Sequence, residues 1–384
     1  MGGPVDLTGV AVVDQHCHAV AARQDMDPAT WRGCFTEAPD PRTRAEDAAH
    51  TAFYRRLLRA TAAFHGVAAT EEAVLAARAR LQVDALVAAL FADAAIAGIV
   101  VDTGFPDRGS VRPEAFAAAA GTRRLTLLRL EVFFQRLVAE HAGYDDLTAA
   151  VRAALADVRA GGHAGLKSIA AYRTGLAVER WPEDDARAAF AAARAEVART
   201  GAVRLGHKPL LDTLLHLAFA AAAAQELPVQ FHVGYGDPDA DLRAASPLQL
   251  RAVLEEPAYR AMPVVLLHGC WPYVREGGYL ASVYGNVHLD LSYAVPFLST
   301  AEQREMTRAA FGVTPTTRLL YSSDGVRVPE LHWLGAAAGR AAIGAVLGEL
   351  VADGDLDADE ARRAGERVLR DNAWRLYGFP GSPG

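Results

Sequence analysis

Cysteine is scarce in this chain: Cys17, Cys34 and Cys270 are the three present among 384 residues. They give no disulfide framework, so a packed core has to hold the fold. A basic excess is also missing. The formal net charge of −7 argues against nucleic acid as a general partner, because phosphate binding requires a basic face. No apolar run reads as long enough to cross a bilayer; the best candidate, around 214–224, is short and contains His216. The opening Met1-Gly2-Gly3-Pro4 lacks the basic segment and apolar core of a secretory signal. No internal repeat, low-complexity tract or Pro/Gly linker marks a domain boundary, and 379–384 reads as a loose tail. The expectation is a cytoplasmic protein acting on a small molecule, with no membrane or nucleic-acid partner and with homo-oligomerisation left open. A hydrophobic content of 51% against 22% charged residues provides an ample core.

Short apolar runs predict strands at 10–14, 97–102, 125–130, 164–169, 228–233, 263–268, 286–291 and 318–323. Helical stretches are predicted at 44–64, 71–95, 146–159, 184–199, 209–226 and 335–352. Continuous apolar strands alternating with helices indicate βαβ units and a parallel sheet. Eight of them, in a single domain over 1–384, indicate a (β/α)8 TIM barrel, with a doubly wound sheet as the alternative. The connections 20–96 and 170–227 are long, and both follow strands, so they are expected to form a helical lid over the active-site face.

Several strands close on residues that bind metals. His16-Cys17-His18 follows the first run, and residues two apart on a strand share a face. Lys167, His232, His268 and Asp324 close or interrupt later runs, in Gly165-Leu166-Lys167, Gln230-Phe231-His232, Leu266-Leu267-His268 and Ser322-Ser323-Asp324. Imidazoles and a carboxylate suit a divalent ion, with zinc expected. His16, His18, His232 and Asp324 are enough for one ion with a position open to water. A second ion would draw on His268 and on Lys167, the latter only as a CO2-derived carbamate, because an ammonium cannot ligate a cation. The alternative for Lys167 is an ion pair with Asp102, Glu131 or Asp290. The remaining histidines, at 50, 65, 141, 163, 207, 216, 288 and 332, read as structural.

The ordered set over residues 10 to 325 resembles the amidohydrolase superfamily of metal-dependent TIM-barrel hydrolases. Ala164-Gly165-Leu166-Lys167-Ser168-Ile169-Ala170 is similar to the carboxylated-lysine strand of its binuclear members, such as phosphotriesterases. Three longer stretches are more specific: 167–176 from Lys167 to Leu176, 232–243 from His232 to Arg243, and 268–281 from His268 to Ala281. They resemble the amidohydrolase-related branch, which includes the hydrolase-like half fused to glutamine synthetase-like domains in some fungal and plant proteins and borders non-oxidative decarboxylases. Two departures stand out: Cys17 between the first histidines, and His288 where an aromatic residue is usual on strand seven.

Arg173, Arg243 and Arg275 each follow a ligand-bearing strand and are candidates to hold a substrate carboxylate. Their alternative partners are the local acids Asp237, Asp241 and Glu276. Tyr235, Trp271 and Tyr273 are candidates for an apolar pocket wall, or for packing under the lid. The leading function is hydrolysis of an amide or cyclic amide C–N bond by metal-bound hydroxide, with Asp324 moving the proton and His268 assisting. The alternatives are metal-dependent decarboxylation of an aromatic or unsaturated acid, with His268 in proton transfer, and a catalytically silent binding barrel.

Overall fold

The computed structural model describes residues 3–105 and 109–382. Eight strands form: β1 (Val12–Cys17), β2 (Ile96–Asp102), β3 (Arg123–Arg129), β4 (Gly165–Ser168), β5 (Val229–Phe231), β6 (Val264–Leu266), β7 (Val287–Ser292) and β8 (Leu319–Ser322). They lie in one sheet in chain order, with parallel registers and helices between successive strands. This is the (β/α)8 TIM barrel. Seven of the eight strands stay within about two residues of the predicted runs. The exception, β1, starts later and continues through Asp14, Gln15 and His16. Those polar residues are fully buried, and the strand tolerates them because each has a built-in partner, described below.

Two compact units emerge, Met1–Leu125 with Asp290–Gly384, and Thr126–Leu289. In the first, β8 lies beside β1: Asp324 N donates to His16 O at 3.0 Å and His18 N to Gly325 O at 2.8 Å. The connection 20–96 is helical, as predicted, but more finely divided. Thr51 accepts from Tyr54 N at 3.1 Å and so caps helix Ala52–His65, which splits the predicted 44–64. Predicted 71–95 becomes Glu71–Arg78 and Val83–Asp93. The connection opens by pairing with the segments just past β2 and β8: Val111 N donates to Val20 O at 2.9 Å, and Ala21 N to Arg327 O at 2.8 Å.

One sequence expectation is corrected in this unit. Helix Pro329–Asp353, 25 residues long, is apolar and long enough to cross a membrane by length and composition. Its most apolar window is 56% buried, and it packs as a core helix. Arg340 Nε and Nη2 donate to Val10 O at 2.9 and 2.7 Å, tying the helix to the start of β1. At Gly344 a Cβ would lie 2.5 Å from Val5 O, so the helix meets the chain backbone directly.

In the second unit, helices Leu130–Glu140, Tyr144–Ala154, Glu183–Thr200 and Lys208–Ala224 follow β3 and β4. Buried Asp212 accepts from Glu179 N at 3.0 Å, Trp181 Nε1 at 2.9 Å and Lys208 Nζ at 2.6 Å. One carboxylate thereby fastens the loop before Glu183–Thr200 to helix Lys208–Ala224. Its buried position is offset by three donors, one of them charged.

Candidate active site

In the first unit the ligand-type residues gather at the ends of β1, β2 and β8. His16 Nε2 lies 3.3 Å and His18 Nε2 3.5 Å from the same oxygen of Asp324. Potential ligand atoms of His16, His18 and Asp102 also lie within 4.8 Å of one another. Asp102 closes β2 and was read from sequence only as a possible lysine partner. Its signal was available, since it is an acid ending an apolar run just as Asp324 is. Asp324 itself lies two residues past β8, in the left-handed region at φ 57°. A non-glycine residue held there implies that its surroundings determine the conformation.

The tautomer of His18 tests whether this set suits a metal. Its Nδ1 lies 2.9 Å from Phe105 O. A carbonyl only accepts, so Nδ1 carries the hydrogen, and in the neutral ring Nε2 presents a lone pair. That lone pair faces a carboxylate oxygen at 3.5 Å. Two acceptors in this arrangement repel unless a cation lies between them or the ring takes a proton. A histidine whose second nitrogen donates to a carbonyl is also the usual arrangement of a metal-ligating imidazole. The residues therefore fit a divalent ion.

A network behind these residues fixes them. Asp14 accepts from Ser323 N at 2.8 Å and from Ser323 Oγ. Burial nonetheless pushes its carboxyl up to about 7. Gln15 Nε2 donates to Asp290 Oδ1, and Tyr377 Oη donates to Gln15 Oε1, both at 2.7 Å. His332 Nε2–H donates to His18 O at 3.0 Å, and burial lowers its pKa to about 4. Cys17, the departure between the two histidines, is buried and directs its thiol to Val100 O; burial drives its pKa well above the usual thiol value. It is a protonated core group.

In the second unit Lys167 stands in β4, 1% exposed, in register with Arg129 and Gln230. Glu131, one of its alternative partners, accepts from Ser168 Oγ at 2.7 Å. His232 follows β5 and donates from Nε2 to Tyr235 O at 2.6 Å, which leaves its Nδ1 lone pair 3.0 Å from His268 Nε2. His268 lies beyond β6 with φ 64°, the first of three left-handed residues ending at Cys270. Gly234 makes this turn feasible: at φ 78°, a Cβ there would lie 2.1 Å from Trp271 O. Tyr235 N donates to that same carbonyl at 2.8 Å, so Tyr235 and Trp271 meet through the backbone. The Tyr235 ring lies 5.3 Å from that of His268, and the Tyr172 ring 4.4 Å from that of His232.

The three candidate arginines differ. Arg243 is 90% exposed and paired to Asp241 at 2.9 Å, which is the local-acid alternative. A guanidinium in that position is paired with its neighbour and open to water. Arg275 is exposed on the helix Val274–Val283. Arg173 is half-buried, and its Nη1 donates to Tyr172 O at 3.1 Å. Tyr172 and the carbonyls of Phe105 and Tyr235 had no role in the sequence reading. Backbone acceptors leave no trace in residue identity.

Residues 143–379 match the sequence profile of the family described as Amidohydrolase. The chain belongs to the amidohydrolase family. It is 38% identical over 221 residues to Protein fluG of Emericella nidulans, a match covering 56% of this chain and 25% of that protein. The chain thus spans about a quarter of the length of that curated relative. Among solved structures, a protein from Lactobacillus casei ATCC 334, provisionally assigned as a metal-dependent hydrolase, aligns with a TM-score of 0.88 at 29% identity over 98% of each chain. A uronate isomerase from Bacillus halodurans C-125 aligns with a TM-score of 0.65 at 15% identity, covering 96% of this chain and 93% of that one; this second likeness is one of fold alone. Family membership makes the protein an enzyme of the amidohydrolase type, whose chemistry depends on a divalent metal.

Proposed function

We propose that this amidohydrolase cleaves a C–N bond, in an amide or cyclic amide, of a small molecule. His16, His18 and Asp324 of the first unit would hold a divalent ion, zinc being the expected one. A second ion would take His268 and Lys167 as ligands, the lysine as its carbamate. The observation that carries the reading is the His18 lone pair facing the Asp324 carboxylate at 3.5 Å, an arrangement that a cation between them would satisfy. Such an ion supplies Lewis acidity, polarising a carbonyl and acidifying a water. Asp324, whose side chain is 21% exposed while those of His16 and His18 are 2% and 6%, takes the proton of the attacking water and passes it to the leaving nitrogen. The connection 20–96 would form a lid over this site and limit water access; it opens by pairing with the segments past β2 and β8, which supports this.

Asp324→Asn tests the proton transfer. Asparagine tolerates the left-handed conformation as aspartate does, so the variant keeps the backbone and loses the charge. We expect it to retain metal by elemental analysis and to lose about 10²-fold or more in turnover. Substrates are screened as a library of amides, lactams and aromatic acids in 18O-water. Label in the product acid supports hydrolysis. Release of CO2 without label overturns it in favour of decarboxylation, and wild-type protein purified without chelator that contains no transition metal overturns the site.

A further inference from the structure

Among the described residues Arg173 makes no ion pair with a carboxylate. Its polar contact among the described residues is the bond from Nη1 to Tyr172 O, and its Nε is buried with no hydrogen-bond partner. The other basic side chain on this carbonyl is differently placed. Arg204 donates from Nη2 to Tyr172 O at 3.0 Å, and its Nη1 is paired with Asp239 at 2.8 Å. One guanidinium of the two is therefore neutralised and the other is not. Burial, followed by the nearby Arg204 charge, lowers the pKa of Arg173, while Glu131 and Asp239 act in the opposite sense without pairing with it. The next residue repeats the deficit: the Thr174 hydroxyl is buried and has no partner. Leaving two buried donors unmet on consecutive residues is costly unless something outside the chain meets them. Both follow Tyr172, whose ring packs on His232.

We propose that Arg173, with the Thr174 hydroxyl, is the specificity-determining element of the enzyme and binds a carboxylate on the amide substrate. With Nη1 committed to Tyr172 O, the remaining Nε–Nη2 edge is a planar two-donor fork, the arrangement that matches a carboxylate bidentately. A single two-donor guanidinium edge suits a carboxylate monoanion better than a phosphate dianion. The substrate class is thus an amide bearing a carboxylate. This rests on the hydrolytic reading only for the amide; recognition of the carboxylate stands by itself.

Calorimetric titration of the protein as purified, with succinamate, glutaramate and adipamate and with their uncharged diamides as probes, tests this. At least one of the three carboxylates should bind, and Arg173→Gln should weaken it about 10- to 150-fold, the range for hydrogen bonds to charged groups. Arg173→Lys, which keeps the charge without the fork, should fall between. Thr174→Val should weaken binding several-fold, and Arg243→Gln not at all. Binding of the diamides should not respond to Arg173→Gln. The proposal is overturned if no probe shows Arg173-dependent binding, if amides and carboxylates weaken equally, if Arg243→Gln matches Arg173→Gln, or if inorganic phosphate outcompetes every carboxylate. Repeating the titration after chelation separates the two readings. Arg173-dependent binding that survives metal removal belongs to the guanidinium, whatever the fate of the metal site.

Discussion

The buried Arg78–Glu330 pair should be among the costliest ion pairs in the molecule to break from one side. Both side chains are 0% exposed. Arg78 donates from Nε and Nη2 to the two oxygens of Glu330, the latter at 3.1 Å, from Nη1 to Gln24 O at 3.0 Å, and from Nη2 to Gln24 Oε1 at 2.7 Å. Its guanidinium carbon also lies 4.3 Å from the Trp31 ring. One side chain thus ties three points of the 20–96 connection to helix Pro329–Asp353. Arg78→Met leaves the Glu330 carboxylate buried and unpaired, at a cost of about 3–5 kcal/mol. Freed acceptors on Gln24 add about 1 kcal/mol or more. Against a total stability of roughly 5–15 kcal/mol, this is a large fraction. The cost lies in the orphaned charge, not in the loss of attraction, so Arg78→Met with Glu330→Leu should recover most of it. Urea unfolding of the single and double variants, followed by circular dichroism and tryptophan fluorescence, measures the cycle. We expect the double variant to unfold at a clearly higher urea midpoint than either single variant, together with faster proteolysis within 20–96 for Arg78→Met alone. A single variant within about 1 kcal/mol of wild type, or a double variant no better than Arg78→Met, would refute the reasoning.

Further predictions follow from other positions. Gly234→Ala should destabilise by at least about 1–3 kcal/mol from backbone conformation alone, and by more through the contact with Trp271 O; near-wild-type unfolding would show that the turn can rearrange. Gly236→Ala should displace Tyr172, since the new Cβ would lie 2.0 Å from its hydroxyl and 2.6 Å from its Cζ, and so disturb the ring packed on His232. Burial lowers the pKa values of His163 and His216 from the usual 6.5. Below that pH the unfolded chain binds more protons than the folded one, so stability should fall as pH drops from 7 to 5, and His216→Asn should flatten the fall in urea midpoint. Chelation should lower the melting temperature of wild-type protein, and restored zinc should raise it; a melting curve indifferent to both would count against the metal site.

The barrel was legible because its strands are short, apolar and buried on both faces, a pattern that survives without any knowledge of pairing. The histidines were legible by their place at the ends of those runs. Other features depend on information a linear reading lacks. β1 runs through Asp14 and Gln15, and the residues that make this affordable, Ser323, Asp290 and Tyr377, are hundreds of positions away. Thr51 ends a helical stretch by capping the next, a choice between two local structures that hydrophobic spacing does not make. Helix Pro329–Asp353 has small residues all round, which hides both its length and its buried face. Arg243 and Arg173 look alike in sequence, each following a ligand-bearing strand, and only the neighbouring acid separates them.

His268 and Asp324 both occupy left-handed backbone just past a strand, and this has an evolutionary consequence. That conformation admits few side chains without penalty: glycine first, then asparagine, aspartate and histidine. Apart from glycine, the admitted set consists of residues with a short polar side chain, two of which are common metal ligands. The backbone at these positions therefore restricts mutation to a small alphabet in which one ligand readily replaces another. Drift away from chemistry would pass through glycine or asparagine more easily than through alanine or leucine. A diverged descendant of this chain that had lost its metal would be expected to carry that signature at both positions.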